Sequence, residues 1–250
     1  MLKIDPIAST TIRAQVYEQL KNKIISAEIR PGEVVTIQRL ADGFGVSLMP
    51  VREALWQLES ERAIVIESNK RIYVNRLTGP EVGDILRVRL VLESMAAEAA
   101  CRHRNDAALK EVRRHLEAME ANLGNQKAFM LANSQFHLGI YTHAGSPMLL
   151  QLIRWLWVRI GPYLVMSSTE DQNRRTMQLH QGMFDAFVQR DAGKMRKCLQ
   201  GDLRRAAKII VEMLESATGT PATGPSWDRR PLARRARGLR VPVDPRESVG

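Results

Sequence analysis

Cysteine is nearly absent. The 250 residues hold two, Cys101 and Cys198, far apart, which excludes a disulfide scaffold and any cysteine-rich zinc finger and fits a reducing compartment. Long apolar runs are also missing. The first twenty residues carry Lys3, Asp5, Arg13 and Glu18 with no apolar stretch between them, so no secretory signal is expected. The best membrane candidate, 149–166, is broken by Gln151, Arg154, Arg159 and Pro162 and is too charged to span a bilayer. There is no Gly-rich phosphate loop and no nucleophile motif. These absences lead to the expectation of a soluble cytoplasmic protein.

Acidic residues are the scarcer charge: 27 Asp+Glu face 37 Lys+Arg, a formal net charge of +10. Such a balance fits a polyanionic partner, nucleic acid or an anionic membrane surface. The excess is uneven. Residues 1–77 hold 11 basic and 9 acidic residues, whereas 217–250 hold 7 Arg and 3 acids in a stretch with five Pro and no apolar period. That tail is expected to be disordered. It is either a solvated extension or an electrostatic arm for DNA through Arg229, Arg230, Arg234, Arg235 and Arg237.

The rest of the chain is patterned for a mainly α protein. Ile12, Val16, Leu20, Ile24 and Ile25 fall at helical spacing over 11–29, and Arg30-Pro31-Gly32 stops that helix. A second helix begins after Thr36 with Leu40, Ala41 and Phe44 inward. A third begins after Ser47, takes Pro50 in its first turn, and buries Val51, Ala54, Leu55 and Leu58. Two short helices about a Gly-containing turn, at 36–55, make a helix-turn-helix. Ala63–Glu67 and Arg71–Val74 read as two strands of a hairpin around Ser68-Asn69-Lys70. Residues 9–77 therefore predict a winged helix-turn-helix. Residues 80–216 show helical periodicity in about six segments, broken at Asn105-Asp106, Gly124-Asn125, Gly145-Ser146-Pro147 and Asp191-Ala192-Gly193. This predicts an all-α bundle, with a kink expected at Gly161-Pro162.

The ordered set Ile29-Arg30-Pro31-Gly32, Leu40-Ala41, Gly45-Val46-Ser47, Pro50 through Leu55 and Leu58-Glu59 resembles the DNA-binding domain of the GntR family of bacterial transcription regulators. Arg89 through Glu93 with its Ala-rich continuation, Asn133 through His137, His180, and Asp191 through Leu203 resemble the FCD ligand-sensing domain of the FadR-like branch. The resemblance implies a homodimer binding a double-stranded, inverted-repeat DNA operator, more often as repressor than activator, and no membrane.

Within the first module, Arg52 is the first candidate for a base or phosphate contact, because its fork matches guanine O6 and N7. The competing reading pairs it with Glu53 or Glu59. Ser47 is a candidate for both cap and phosphate contact; Gln38, Asn69, Lys70 and Arg71 are candidates for backbone contacts that set position. The sequence departs from the family pattern at three places. Leu48 stands where Arg is usual, so with Met49 it would read thymine methyl groups. Arg71 and Arg62 stand where Gly is usual.

The FCD resemblance implies a divalent metal in the bundle, held by an acid or amide and three His, with an effector carboxylate nearby. Carried over position by position, the ligand set is Asn133, His137, His180 and Asp202, the last in place of the usual His. Two imidazoles and a carboxylate suit zinc, manganese, nickel or iron. Asp202 has alternative partners in Arg196, Arg204 and Arg205, and His137 has an alternative role as a core histidine. Arg89 would grip a small carboxylate effector or else pair with Glu93 four residues on. Arg159 and Tyr163 are further candidates for the effector pocket; Trp155 and Trp157 read as core and interface. The alternative function is a metal-dependent enzyme built on a two-His-one-carboxylate centre.

Overall fold

The computed structural model describes residues 11–68 and 71–218. Asn69, Lys70 and the chain from 219 onward, and with them the wing-tip contacts and the basic arm, lie outside the described residues.

Helix α1 (Ile12–Ile25) is capped by the Thr11 hydroxyl, which accepts from Ala14 N–H. It buries Val16, Tyr17, Leu20 and Ile24; Ile12, expected inward, stays exposed. Helix α2 (Ile37–Phe44) starts on a Thr36 cap and ends at Gly45, whose φ of 66° is the left-handed conformation a tight turn into the next helix needs. Helix α3 (Leu48–Ser60) then buries the expected stripe Val51, Ala54, Leu55 and Leu58. Each Val or Leu of that stripe contributes about 1.5–3 kcal/mol of apolar burial.

The wing is a three-stranded antiparallel sheet of β1 (Val34–Val35), β2 (Ile64–Ile66) and β3 (Ile72–Val74), in the order β1-β3-β2. Its register pairs Val35 with Ile72 and Ile66 with Ile72 from opposite sides. The two hairpin strands were legible; β1 is two residues long and leaves no period-2 pattern to read.

Between α3 and the wing the chain turns through Arg62, which holds a left-handed φ of 57°. Ala63 N–H closes the helix end on the Leu58 carbonyl at 2.9 Å. A side chain in this conformation is strained by about 1 kcal/mol, which glycine avoids. Arg62→Gly is accordingly expected to raise stability by about that amount, read as a higher urea midpoint at unchanged slope.

The second module is a bundle of α4 (Gly79–His103), α5 (Asp106–Ala121), α6 (Gln126–Tyr141), α7 (Pro147–Met166), α8 (Glu170–Gln189) and α9 (Ala192–Thr218). These are the six expected segments to within a few residues. Helix α7 runs unbroken through Gly161-Pro162.

Helix α7 also joins the modules. Val158 belongs to the apolar core of the N-terminal module, beside Leu20, Ile24 and Leu55. The Tyr163 hydroxyl accepts from Leu77 N–H at 2.6 Å and donates to the Asn75 carbonyl at 3.4 Å, fixing the linker. Gly161 lets α1 approach: a Cβ there would sit 2.9 Å from Ile25 Cγ2 and 3.2 Å from Ile25 Cα. Gly161→Leu is expected to separate the modules and to lower stability by about 1–3 kcal/mol by overpacking, read by urea denaturation.

Candidate functional site

Two regions carry chemistry, one on the surface of the N-terminal module and one inside the bundle. On the surface, α3 turns its unburied face outward. Leu48 is 41% exposed, Met49 54% and Trp56 52%. Arg52 is exposed between them. Among the described residues Arg52 forms no ion pair with Glu53, Glu59 or any other acid, so its guanidinium faces solvent. Ser47 stands at the N-cap in extended conformation, but its hydroxyl makes no capping bond. Gln38, exposed on α2, donates to Asp42 at 2.9 Å. Arg71 is exposed at the start of the strand opposite. Sequence reading missed Trp56. The signal was available: it lies four residues after Arg52, off the buried stripe, where a large aromatic has no core to enter.

Inside the bundle, His137 on α6, His180 on α8 and Asp202 on α9 converge. The two Nε2 atoms are 3.1 Å apart, and Asp202 Oδ2 lies 3.4 Å from His137 Nε2. Asp202 Oδ1 is 3.9 Å from His180 Nε2 and accepts from the Thr176 hydroxyl at 2.7 Å. The short carboxylate therefore reaches the imidazoles, and Arg196 is occupied elsewhere, with Glu98.

The outer partners fix both tautomers. His180 Nδ1–H donates to the Thr176 carbonyl at 2.9 Å. The Tyr141 hydroxyl spends its single proton on Glu93 Oε2 at 2.6 Å, so at 3.1 Å it can only accept from His137 Nδ1–H. Burial, then the adjacent Glu93 charge, raises the Tyr141 hydroxyl well above its ordinary pKa, which keeps it protonated. Burial lowers His180, so it is neutral. For Asp202, burial would raise the carboxyl, while the Thr176 hydroxyl, donating to Oδ1 at 2.7 Å, favours the ionised form.

Two bare imidazole nitrogens and a carboxylate then face one another in a buried space, with nothing of their own to separate the lone pairs. That arrangement is relieved by a cation among them, a proton on one Nε2 or a metal ion bound by all three. The three ligand atoms lie within 4.8 Å of one another, and 3.1 Å is close to the roughly 3.0–3.4 Å between neighbouring donors on an ion with bonds near 2.1 Å. The donor set fits a divalent metal. Asn133, one turn before His137, lines the same cavity and is buried.

The cavity has a volume of about 60 Å³, room for an ion with a few waters or for a small organic acid in their place. Arg89 reaches it, stacked over Trp157 at 5.0 Å, but its Nε donates to Glu93 Oε1 at 2.6 Å in a buried ion pair. The structure shows the pairing with Glu93, and the paired arginine also lines the cavity. Arg159 and Tyr163 are not among the lining residues. Tyr163 serves the linker, and Arg159 is half-buried near Glu81 and Arg62, its basicity lowered first by burial. The sequence pattern places both on α7 but cannot tell the face toward the cavity from the face toward the N-terminal module.

Comparison with known proteins identifies both modules. Residues 12–74 match the family described as bacterial regulatory proteins, gntR family, and residues 84–205 match the FCD domain. The HTH-type transcriptional regulator McbR of Escherichia coli (strain K12) is 27% identical over 207 residues, spanning 81% of this chain and 94% of its own. The HTH-type transcriptional repressor GlaR of the same strain is 26% identical over 214 residues, 79% of this chain and 95% of its own. The solved structure of E. coli McbR/YncC has a TM-score of 0.78 at 26% identity and covers 82% of this chain and 99% of that one. A putative GntR regulator from Rhodococcus sp. RHA1 shares the fold at a TM-score of 0.61 and 20% identity, over 83% of this chain and 95% of its own. These relatives are regulators, not enzymes.

Proposed function

The chain belongs to the gntR family of bacterial regulatory proteins and carries an FCD domain, and from that premise we propose a metal-dependent, acid-responsive repressor of the FadR-like branch, acting as a cytoplasmic homodimer on an inverted-repeat operator. The observation that carries the sensing half is the convergence of His137, His180 and Asp202 with both Nε2 lone pairs directed inward. A divalent ion held there, with Asn133 beside it, supplies Lewis acidity and positive charge toward an anion. The residues of the chain do the rest. Glu93 and Tyr141 orient His137, Thr176 orients His180, and Trp157 closes the wall.

The DNA-reading half rests on α3. Arg52, Leu48 and Met49 would meet base edges in the major groove, Ser47 a phosphate at the helix N-terminus, and Gln38, Arg71 and the wing-tip pair Asn69 and Lys70 the backbone. A second copy would dock on α4, and the exposure of Val88, Val91 and Met95 at i, i+3 and i+7 supports that reading. The sign of regulation is taken from relatives named as repressors, GlaR and the gluconate operon repressor of Bacillus licheniformis among them.

Communication between the halves runs along α7. Trp157 lines the cavity, while the next residue, Val158, sits in the N-terminal core. An acid that displaces Trp157 shifts the helix against α1, and the two DNA-binding units of a dimer change their relative pose. The free energy for this is the acid's differential affinity for the two poses. The test is fluorescence anisotropy of DNA from upstream of its own gene at graded salt, with zinc-loaded and chelator-stripped protein. A specific complex whose affinity changes on chelation is expected. Absence of any specific complex, or metal-dependent turnover in its place, contradicts the reading.

A further inference from the structure

The cavity contains one more cation than the ligand set needs. Its charged lining residues are Arg89, Asp202 and Arg205. Arg89 is neutralised by Glu93. Arg205 has no ion-pair partner among the described residues, and its Nε is buried with no hydrogen-bond acceptor. Gln172 Oε1, also on the cavity wall, is buried and lacks a donor. Two walls thus present polar atoms whose desolvation nothing among the described residues offsets, and such atoms mark where a ligand makes its bonds.

From this we infer that Arg205, not Arg89, anchors the far end of the effector, and that the effector is a small dicarboxylate. The inference rests on the metal-centred sensing reading above. Charge selects the class. A divalent ion held there, less the Asp202 carboxylate and plus Arg205, would leave two positive charges in one cavity, which a dianion neutralises and a monoanion does not. Arg205 follows Asp202 by three residues on α9, on the same side of the helix, so the two side chains line one cavity. One carboxylate lies at the His137–His180–Asp202 centre. The other takes the Arg205 guanidinium in a charge-assisted bond, with the Gln172 amide beside it.

The experiment is calorimetric titration of the zinc-loaded, full-length protein with succinate and with butyrate, which share four carbons and differ in one carboxylate. Succinate is expected to bind at least tenfold more tightly than butyrate. Arg205→Met should bring succinate to the level of butyrate, with zinc content by elemental analysis and melting temperature unchanged; Arg205→Lys should recover part of the preference. Equal affinities in the unaltered protein, or a preference that survives Arg205→Met, overturns the assignment of Arg205 while leaving the metal centre standing. Failure of the protein to retain zinc, or to bind either acid, overturns both.

Discussion

Arg52→Ala is expected to weaken specific operator binding by roughly a hundredfold or more, since a bidentate arginine–base contact is worth about 1–3 kcal/mol and a dimer makes two of them. The side chain is exposed, and no acid among the described residues holds it, so its removal leaves no charge unpaired. Thermal stability and oligomeric state should stay within error of the parent protein. Affinity for unrelated duplex DNA should fall far less, because the phosphate contacts proposed for the wing and the Ser47 end of α3 would be kept. A uniform loss across all sequences, with a shallower salt slope, would reassign Arg52 to the phosphate backbone. Unchanged specificity would remove α3 as the reading helix. Anisotropy titrations at two salt concentrations, with specific and scrambled duplexes, separate these results.

The second large effect is in the bundle. His137→Ala combined with His180→Ala removes two of the three converging donors, and bound zinc is expected to fall from about one per chain to background in elemental analysis. Tyr141→Phe makes a graded comparison. It leaves every proposed ligand in place but strips the acceptor of His137 Nδ1–H and the donor to Glu93. Loss of such an outer hydrogen bond typically lowers metal affinity 10–100-fold. Full zinc occupancy in the double variant would place the metal elsewhere or nowhere; unchanged affinity in Tyr141→Phe would show that the Glu93–Tyr141–His137 chain does not set the ring.

Much of this was legible in the residues, and the parts that were not have identifiable causes. Val51, Ala54, Leu55 and Leu58 announce the buried side of α3 because a 3.6-residue period leaves them on one stripe. The same period cannot say which of two partners a helix with two buried faces will meet, and so Arg159 and Tyr163 on α7 were assigned to the wrong neighbourhood. Strand β1 was invisible because two residues have no period. The ligand set followed from the resemblance, but the tautomers did not. They depend on Tyr141, Glu93 and Thr176, which lie four residues from a ligand on its own helix or on a different helix altogether. Arg89 was visible as a candidate anchor, and so was its pairing with Glu93 at i+4. That Arg205 lines the cavity without an ion-pair partner among the described residues emerges only when five helices are packed around it.

The N-terminal module owes its reading to geometry more than to the net charge of +10. Residues 1–77 hold 11 basic against 9 acidic residues, and the arginine-rich stretch beyond 219 lies outside the described residues. Selection of DNA from a random-sequence duplex pool by the purified protein tests the claim of sequence-specific reading most directly. Enrichment of one short inverted repeat, with recovery abolished by Arg52→Ala, is the expected outcome. A pool that stays random after repeated rounds, or one enriched equally well by the Arg52→Ala protein, contradicts it.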